Sequence, residues 1–239
     1  MERIAAAVCP EREALVIEIG PGRGALTARL LERADRVIAI EIDPAMVEHL
    51  RAQFAGEARL EIVHADILTV DLAQWGAAPV AGNLPYYITS PIIERTMRSG
   101  TPRAVFLIQK EVAERLVASP GSRDYGFLTV QTALFAQVKY LFEVRPGSFQ
   151  PPPKVDSAVV LLEKRDRALD DAAGLVRFVG HCFGHKRKTL RNNLAGIYGK
   201  ELVESWPEAS LRAEQIPVEG FLAMWARLSS EQPSTPAAH

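Results

Sequence analysis

The chain is poor in the residues that announce redox, metal or membrane chemistry. Two cysteines, Cys9 and Cys182, lie far apart and form no CxxC pair. That excludes a disulfide framework and predicts free thiols, as in a cytoplasmic protein. Five histidines, His49, His64, His181, His185 and His239, show no ligand spacing, so no metal site is expected. No apolar run approaches the ~18 residues that span a bilayer. No basic stretch precedes a long apolar core near the N-terminus, so no signal peptide is predicted either. Neither sign of charge is in excess: 28 Lys and Arg face 29 Asp and Glu, a formal net charge of −1. No global field draws such a chain onto nucleic acid or a membrane. A polyanion has to be held by a local patch.

What is present is an ordinary globular composition, 48% hydrophobic and 24% charged over 239 residues. Short apolar runs alternate with helical patterns. "ALVIEI" (14–19), "RVIAIEI" (36–42), "RLEIVHADIL" (59–68), "APVAGN" (78–83) and "RAVFLIQ" (103–109) read as strands. Between them, "GALTARLLERA" (24–34) is amphipathic, Asp43 caps a helix with Pro44 at its first position, and "ITSPIIERTMR" starts a helix near Thr89 or Ser90. "KEVAERLVAS" follows the fifth strand as a helix. Strand–helix alternation in continuous apolar runs predicts a parallel sheet covered on both faces, an α/β fold. "FLTVQTALFA" reads as a helix, and "QVKYLFEV" and "SAVVLLEK" as a late pair of strands. From about Ala168 onward every segment is helical. The expected organisation is an α/β domain over 1–165 and a small helical domain over 166–239, with a flexible tail at 230–239.

"IEIGPGRGALT" sets Gly20, Gly22 and Gly24 between the first strand and its helix. Glycines there let the backbone turn tightly and approach a ligand at a helix N-terminus. The same turn can be read as a dinucleotide fingerprint, or as a tight turn with no ligand. Glu41 closes the second strand about 20 residues on, where an acid holds a nucleoside ribose in doubly wound sheets. Asp66 follows the third strand, where it can accept from an adenine amine. The set describes an adenosine pocket, which suits NAD or S-adenosylmethionine.

"VAGNLPYYITSPII" (80–93) separates the two. A planar nucleobase amine is a poor nucleophile because its lone pair is delocalised. The Asn83 side-chain oxygen and the Leu84 carbonyl can each accept one of its hydrogens and favour a more tetrahedral nitrogen. Pro85 stiffens the corner. Tyr86 can stack on a base that has left its helix or loop. A sulfonium methyl needs no metal and no nucleophilic side chain, so positioning and electrostatics suffice. A nicotinamide dehydrogenase has no catalytic His or Tyr–Lys set here.

Taken in order, "EIGPGRGALT", "AIEIDPAM", "HADIL", "GNLPYYITSPII", "FLIQKEVAERL", "FQPPPKVDSAVV" and "KRKTLRNNL" resemble the KsgA-type small-subunit ribosomal RNA adenine dimethyltransferases, from about Ala14 to Leu194. The resemblance implies a class I (Rossmann-like) S-adenosylmethionine-dependent methyltransferase sheet with a small helical C-terminal domain. It implies transfer of two methyls to the N6 of each of two adjacent adenines in the 3′-terminal hairpin loop of 16S rRNA. Within the small ribosomal subunit or its precursor, a monomer is the expected acting form. By position, Gly20, Gly22, Glu41, Ile42, Asp66, Ile67 and Asn83 become donor contacts. Asn83, Leu84, Pro85 and Tyr86 become the catalytic loop, and Phe149 a second stacking face. The sequence departs from the pattern at its front. It opens "MERIAAAVCPEREALVIEIG", without the family's Gly-Gln-(Asn/His)-Phe-Leu-like segment, so one wall of the donor pocket and base entrance is expected to be missing. The large-subunit rRNA adenine dimethylase and a non-catalytic ribosome-assembly factor on the same fold are the alternatives.

"HKRKTLR" (185–191) supplies the local patch. Lys186, Arg187, Lys188 and Arg191 have no nearby acid in sequence and, on a helix, several share one face for RNA phosphates.

Overall fold

The computed structural model describes residues 1–85, 88–148 and 155–231. Seven strands form one sheet: β1 (Val16–Ile19), β2 (Val37–Glu41), β3 (Leu60–His64), β4 (Val80–Asn83), β5 (Arg103–Gln109), β6 (Ala136–Val144) and β7 (Ser157–Lys164). Their order is β3-β2-β1-β4-β5-β7-β6. The first five are parallel. β7 then enters antiparallel between β5 and β6. The late strand pair is therefore part of the same sheet, with the later strand inside. The reason lies in composition. Ala158, Val159, Val160 and Leu162 are fully buried, as suits a central strand apolar on both faces. β6 alternates exposed and partly covered residues, as suits an edge.

Helix α1 (Glu2–Val8) precedes β1, and α2 (Thr27–Leu31), α3 (Pro44–Gln53), α4 (Thr89–Arg98) and α5 (Lys110–Leu116) lie between strands. α2 is shorter than the pattern over 24–34 suggests. Gly24 sits at φ +75°, outside the helical region, and a Cβ there would lie 2.6 Å from the Phe54 ring. The third glycine of the turn thus serves close packing. α3 starts as expected: Asp43 accepts from the Ala45 N–H at 2.8 Å, and Pro44 occupies the first position. One core cluster joins Ile4, Ala5 and Val8 of α1, Leu30 and Leu31 of α2, and Val16, Ala81, Val105 and Val159 of the sheet. Each fully buried large aliphatic contributes ~1.5–3 kcal/mol.

The chain divides into two compact units, one of Met1–Glu114 with Phe135–Arg165, the other of Arg115–Leu134 with Asp166–His239. The stretch 115–134, expected with the α/β domain, groups instead with the helical unit. That unit holds most of α6 (Phe127–Phe135) and all of α7 (Ala172–Cys182), α8 (Leu190–Tyr198), α9 (Lys200–Glu204) and α10 (Val218–Glu231). Two polar bonds, one of them buried, tie the stretch to the rest of that unit. The Tyr125 hydroxyl donates to the Ile216 carbonyl at 2.7 Å, and the Gly121 N–H donates to the Glu214 carbonyl at 2.7 Å. Phe178 anchors the helices, packing edge-on against Tyr198 and Trp206. Cys9 and Cys182 are buried free thiols. Among the described residues no helix is long and apolar enough to cross a membrane. The tail beyond Glu231 lies outside the described residues.

Candidate active site

The order of the strands sets the position of the site. The chain runs outward from β1 through β2 to β3, then returns to place β4 on the other side of β1. Ligands bind at such a reversal, beyond the carboxyl ends of the strands. The register aligns what is found there. Ile19 pairs with Ile40 and with Gly82, so Gly20, Glu41 and Asn83 stand side by side one residue further on. Glu41 in turn pairs with His64, two residues before Asp66. Four residues named from sequence are thus brought to one edge.

Gly20 continues the ladder, donating its N–H to the Ile40 carbonyl at 3.0 Å. Its φ is +66°, and a Cβ there would approach the Asn83 carbonyl at 3.5 Å. A bare backbone leaves the space above the sheet open for a ligand. Glu41 is buried and organises the turn. Its Oε2 accepts from the Gly22 N–H at 3.1 Å, and its Oε1 accepts from Ile42 and Asp43 N–H groups at 2.9 and 3.0 Å. A carboxylate has about four acceptor positions, so Oε2 keeps room for a hydroxyl donor. Ile42 is 60% exposed, an unusual placement for a large aliphatic, and Ile67 is buried. Asp66 forms an Asx turn, accepting from the Leu68 N–H at 2.9 Å.

Asn83 closes β4 exposed, with its backbone paired to Leu107. Leu84 is buried and donates its N–H to the Leu107 carbonyl at 3.0 Å, which fixes the corner to β5. The Thr89 hydroxyl donates to the Pro85 carbonyl at 3.0 Å, tying the exit of the loop to the start of α4. Tyr86 and Phe149, the two expected stacking faces, lie outside the described residues.

One group near this edge is not marked by the sequence motifs. Glu18 lies inside β1, 1% exposed, and accepts from the Thr27 hydroxyl at 2.6 Å. Burial, reinforced by the negative charge of Glu41, pushes its carboxyl up to about 7, against the hydrogen bonds from Thr27 that pull it down. The signal was available: an acid in the middle of the apolar run "VIEI", two residues before the glycine turn.

The basic segment is the main correction. Lys186, Arg187 and Lys188 do not share a helical face. They form the turn between α7 and α8, and only Arg191 is helical. Thr189 pairs with Arg212 in an isolated antiparallel bridge, and the Leu190 and Arg191 N–H groups donate to Leu211 and Ala209 carbonyls. Those bonds delay the helix to Leu190. The Asn193 amide donates to the Cys182 and His185 carbonyls and braces the turn from below. Lys186 Nζ donates to the Arg123 carbonyl at 3.0 Å, and Arg191 lies 3.8 Å from Glu204. Arg103 and Lys110 pair with Glu163 and Glu143.

Among the described residues no group of three or more His, Cys, Asp and Glu is placed to hold a metal ion. The residues at the strand ends do fit S-adenosylmethionine: an open glycine turn, an acid with a spare acceptor position, and an exposed aliphatic lip.

Fold and site together define a class I methyltransferase, and solved structures of that class superpose on the chain. The dimethyladenosine transferase from Plasmodium falciparum does so with a TM-score of 0.81 at 26% identity, covering 96% of this chain and 95% of that one. The 23S rRNA methyltransferase ErmE does so with a TM-score of 0.71 at 28% identity, covering 95% and 97%. A family model described as ribosomal RNA adenine dimethylase matches residues 1–228. The ribosomal RNA small subunit methyltransferase A of Acidobacterium capsulatum is 42% identical over 230 residues, covering 89% of this chain and 81% of its own. The protein of the same name from Rubrobacter xylanophilus is 41% identical over 237 residues, covering 95% and 89%. The chain belongs to the ribosomal RNA adenine dimethylase family and is an S-adenosylmethionine-dependent enzyme.

Proposed function

We propose that this chain dimethylates the N6 amines of two adjacent adenines in the 3′-terminal hairpin loop of 16S rRNA, acting as a cytoplasmic monomer on the small subunit or its precursor. The observation that carries the reading is the alignment of Gly20, Glu41 and Asn83 at the β1–β4 reversal. The small-subunit substrate is supported by relatives of 42 and 41% identity that carry that name, against 28% for the 23S enzyme.

Glu41 accepts from the ribose of the donor, Asp66 from its adenine amine, and Ile42 covers the base with its exposed side chain. Bound S-adenosylmethionine supplies an electrophilic methyl group on a cationic sulfur. Asn83 Oδ1 and the Leu84 carbonyl accept the two N6 hydrogens and hold the amine with its lone pair turned toward the methyl. Leu84 and Thr89 keep the corner rigid while this happens. Pro85 lies between them, and Tyr86 and Phe149 are assigned the two faces of the extruded base. Preorganised acceptors of this kind need not reorient in the transition state. Lys186, Arg187, Lys188 and Arg191 hold RNA phosphates.

The test is mass spectrometry of 16S rRNA from methyl-deficient small subunits treated with the chain or with Asn83→Ala, with RNA binding measured alongside. The chain is expected to produce two dimethyladenosines, and Asn83→Ala to slow transfer far more than it weakens binding. Modification of 23S rRNA instead, or equal loss of binding and transfer in the variant, overturns the assignment.

A further inference from the structure

Glu18 lies in β1 two residues before Gly20, beneath the strand ends that carry Glu41 and Asn83, and nothing in the mechanism above uses it. It pairs with Ala39 on β2 and Ala81 on β4. Side chains alternate faces along a strand, so Glu41 and Asn83, two residues further on, share its face roughly 7 Å along the strands. Gly20 follows the end of β1, two residues beyond Glu18, and contributes no side chain between it and the strand ends. From α2 it meets Thr27, whose hydroxyl donates to it at 2.6 Å. Glu41 is the charged group that bears on Glu18, and it has the same sign. Among the described residues no basic side chain offsets the charge of Glu18.

We propose that Glu18 is a positioning residue that senses the charge of the bound sulfur: it gives up its proton when a sulfonium occupies the crevice above it and takes one back when the sulfur is a neutral thioether. The inference rests on the donor reading of this crevice. Methyl transfer breaks the sulfur–methyl bond, leaves its electron pair on sulfur, forms the N6–methyl bond and releases an N6 proton to solvent. The crevice thereby loses one positive charge at each turnover. A carboxyl poised near neutrality responds to that loss. Ionised Glu18 stabilises the donor complex and not the product complex, so the site favours fresh donor over spent product.

The sign follows from linkage. A sulfonium lowers the raised carboxyl back toward its ordinary value, so donor binding releases a proton at a pH between the bound and free values and none well below or above them. Product binding lacks that release. The donor-to-product affinity ratio therefore rises with pH through neutrality, by about tenfold if the sulfonium moves the carboxyl by one pH unit.

Calorimetric titration of the full chain with S-adenosylmethionine and with S-adenosylhomocysteine, in buffers of different ionisation heat from about pH 5.5 to about pH 8.5, reads both the ratio and the protons released. The wild type is expected to release more protons with donor than with product near neutrality, and its ratio to climb. Glu18→Gln keeps the titrations of the ligands themselves and is expected to flatten that climb. Thr27→Val removes a hydrogen bond that favours the ionised form and is expected to move the midpoint to higher pH. This second variant decides the matter if Glu18→Gln does not fold. Equal proton counts for the two ligands, identical profiles in wild type and Glu18→Gln, or an unmoved midpoint in Thr27→Val overturns the proposal. Failure of the wild type to bind either ligand overturns the donor reading of the crevice instead.

Discussion

Glu41 combines two tasks that pull on one carboxylate. It accepts three backbone N–H groups of the turns around it and, in the proposed reaction, a ribose hydroxyl as well. Glu41→Ala is expected to weaken donor binding by roughly 1.5–3 kcal/mol, the size of a hydrogen bond to a charged group. Glu41→Gln, which keeps the shape and drops the charge, is expected to fall between it and wild type in the same calorimetric titration. Unchanged donor affinity in Glu41→Ala would place the ribose elsewhere. Glu41, Asp66 and Asn83 were legible in the sequence because each ends or follows a recognisable strand. Glu18 was not. An acid within four apolar residues says that something unusual is buried, but its neighbours come from β2, β4 and α2, and their register is a property of the folded sheet.

At the scale of elements, the segment before α6 is held to the segment before α10 by Tyr125. Its hydroxyl is buried and donates to the Ile216 carbonyl at 2.7 Å. Burial raises the phenol to about 12, so the bond persists across the working pH range. Tyr125→Phe keeps the ring and strands that carbonyl, and is expected to cost roughly 1–2 kcal/mol in urea unfolding. A change below ~0.3 kcal/mol would show that the bond is replaced by water. The five parallel strands and α3, α4, α5 and α6 were legible because apolar runs, caps and prolines are local signals. The inner position of β7 was not, since an apolar run states only that both faces are covered. The turn at Lys186–Lys188 is not legible for a related reason. Its composition suits a helix, and the bridge from Thr189 to Arg212, 23 positions on, overrides it.

For the whole molecule, a net charge of −1 means that RNA affinity depends on where the cations are. Replacing Lys186, Arg187, Lys188 and Arg191 with Ala is expected to reduce the slope of log affinity against log salt, for small-subunit particles, by roughly 2–3, at about 0.9 for each phosphate left without its cation. Arg191, close to Glu204, contributes least. An unchanged slope removes the patch from the RNA interface. The amino-acid sequence by itself determined the α/β class, the glycine turn, the acids beyond β2 and β3 and the Asn-Leu-Pro corner, because those depend on residues close in the chain. Only the tertiary structure decided which strands are neighbours, that residues 115–134 group with the helical unit, and that a buried carboxylate sits beneath the crevice. Pairing between distant segments is chosen by the free energy of the whole core, and no window of sequence contains that sum.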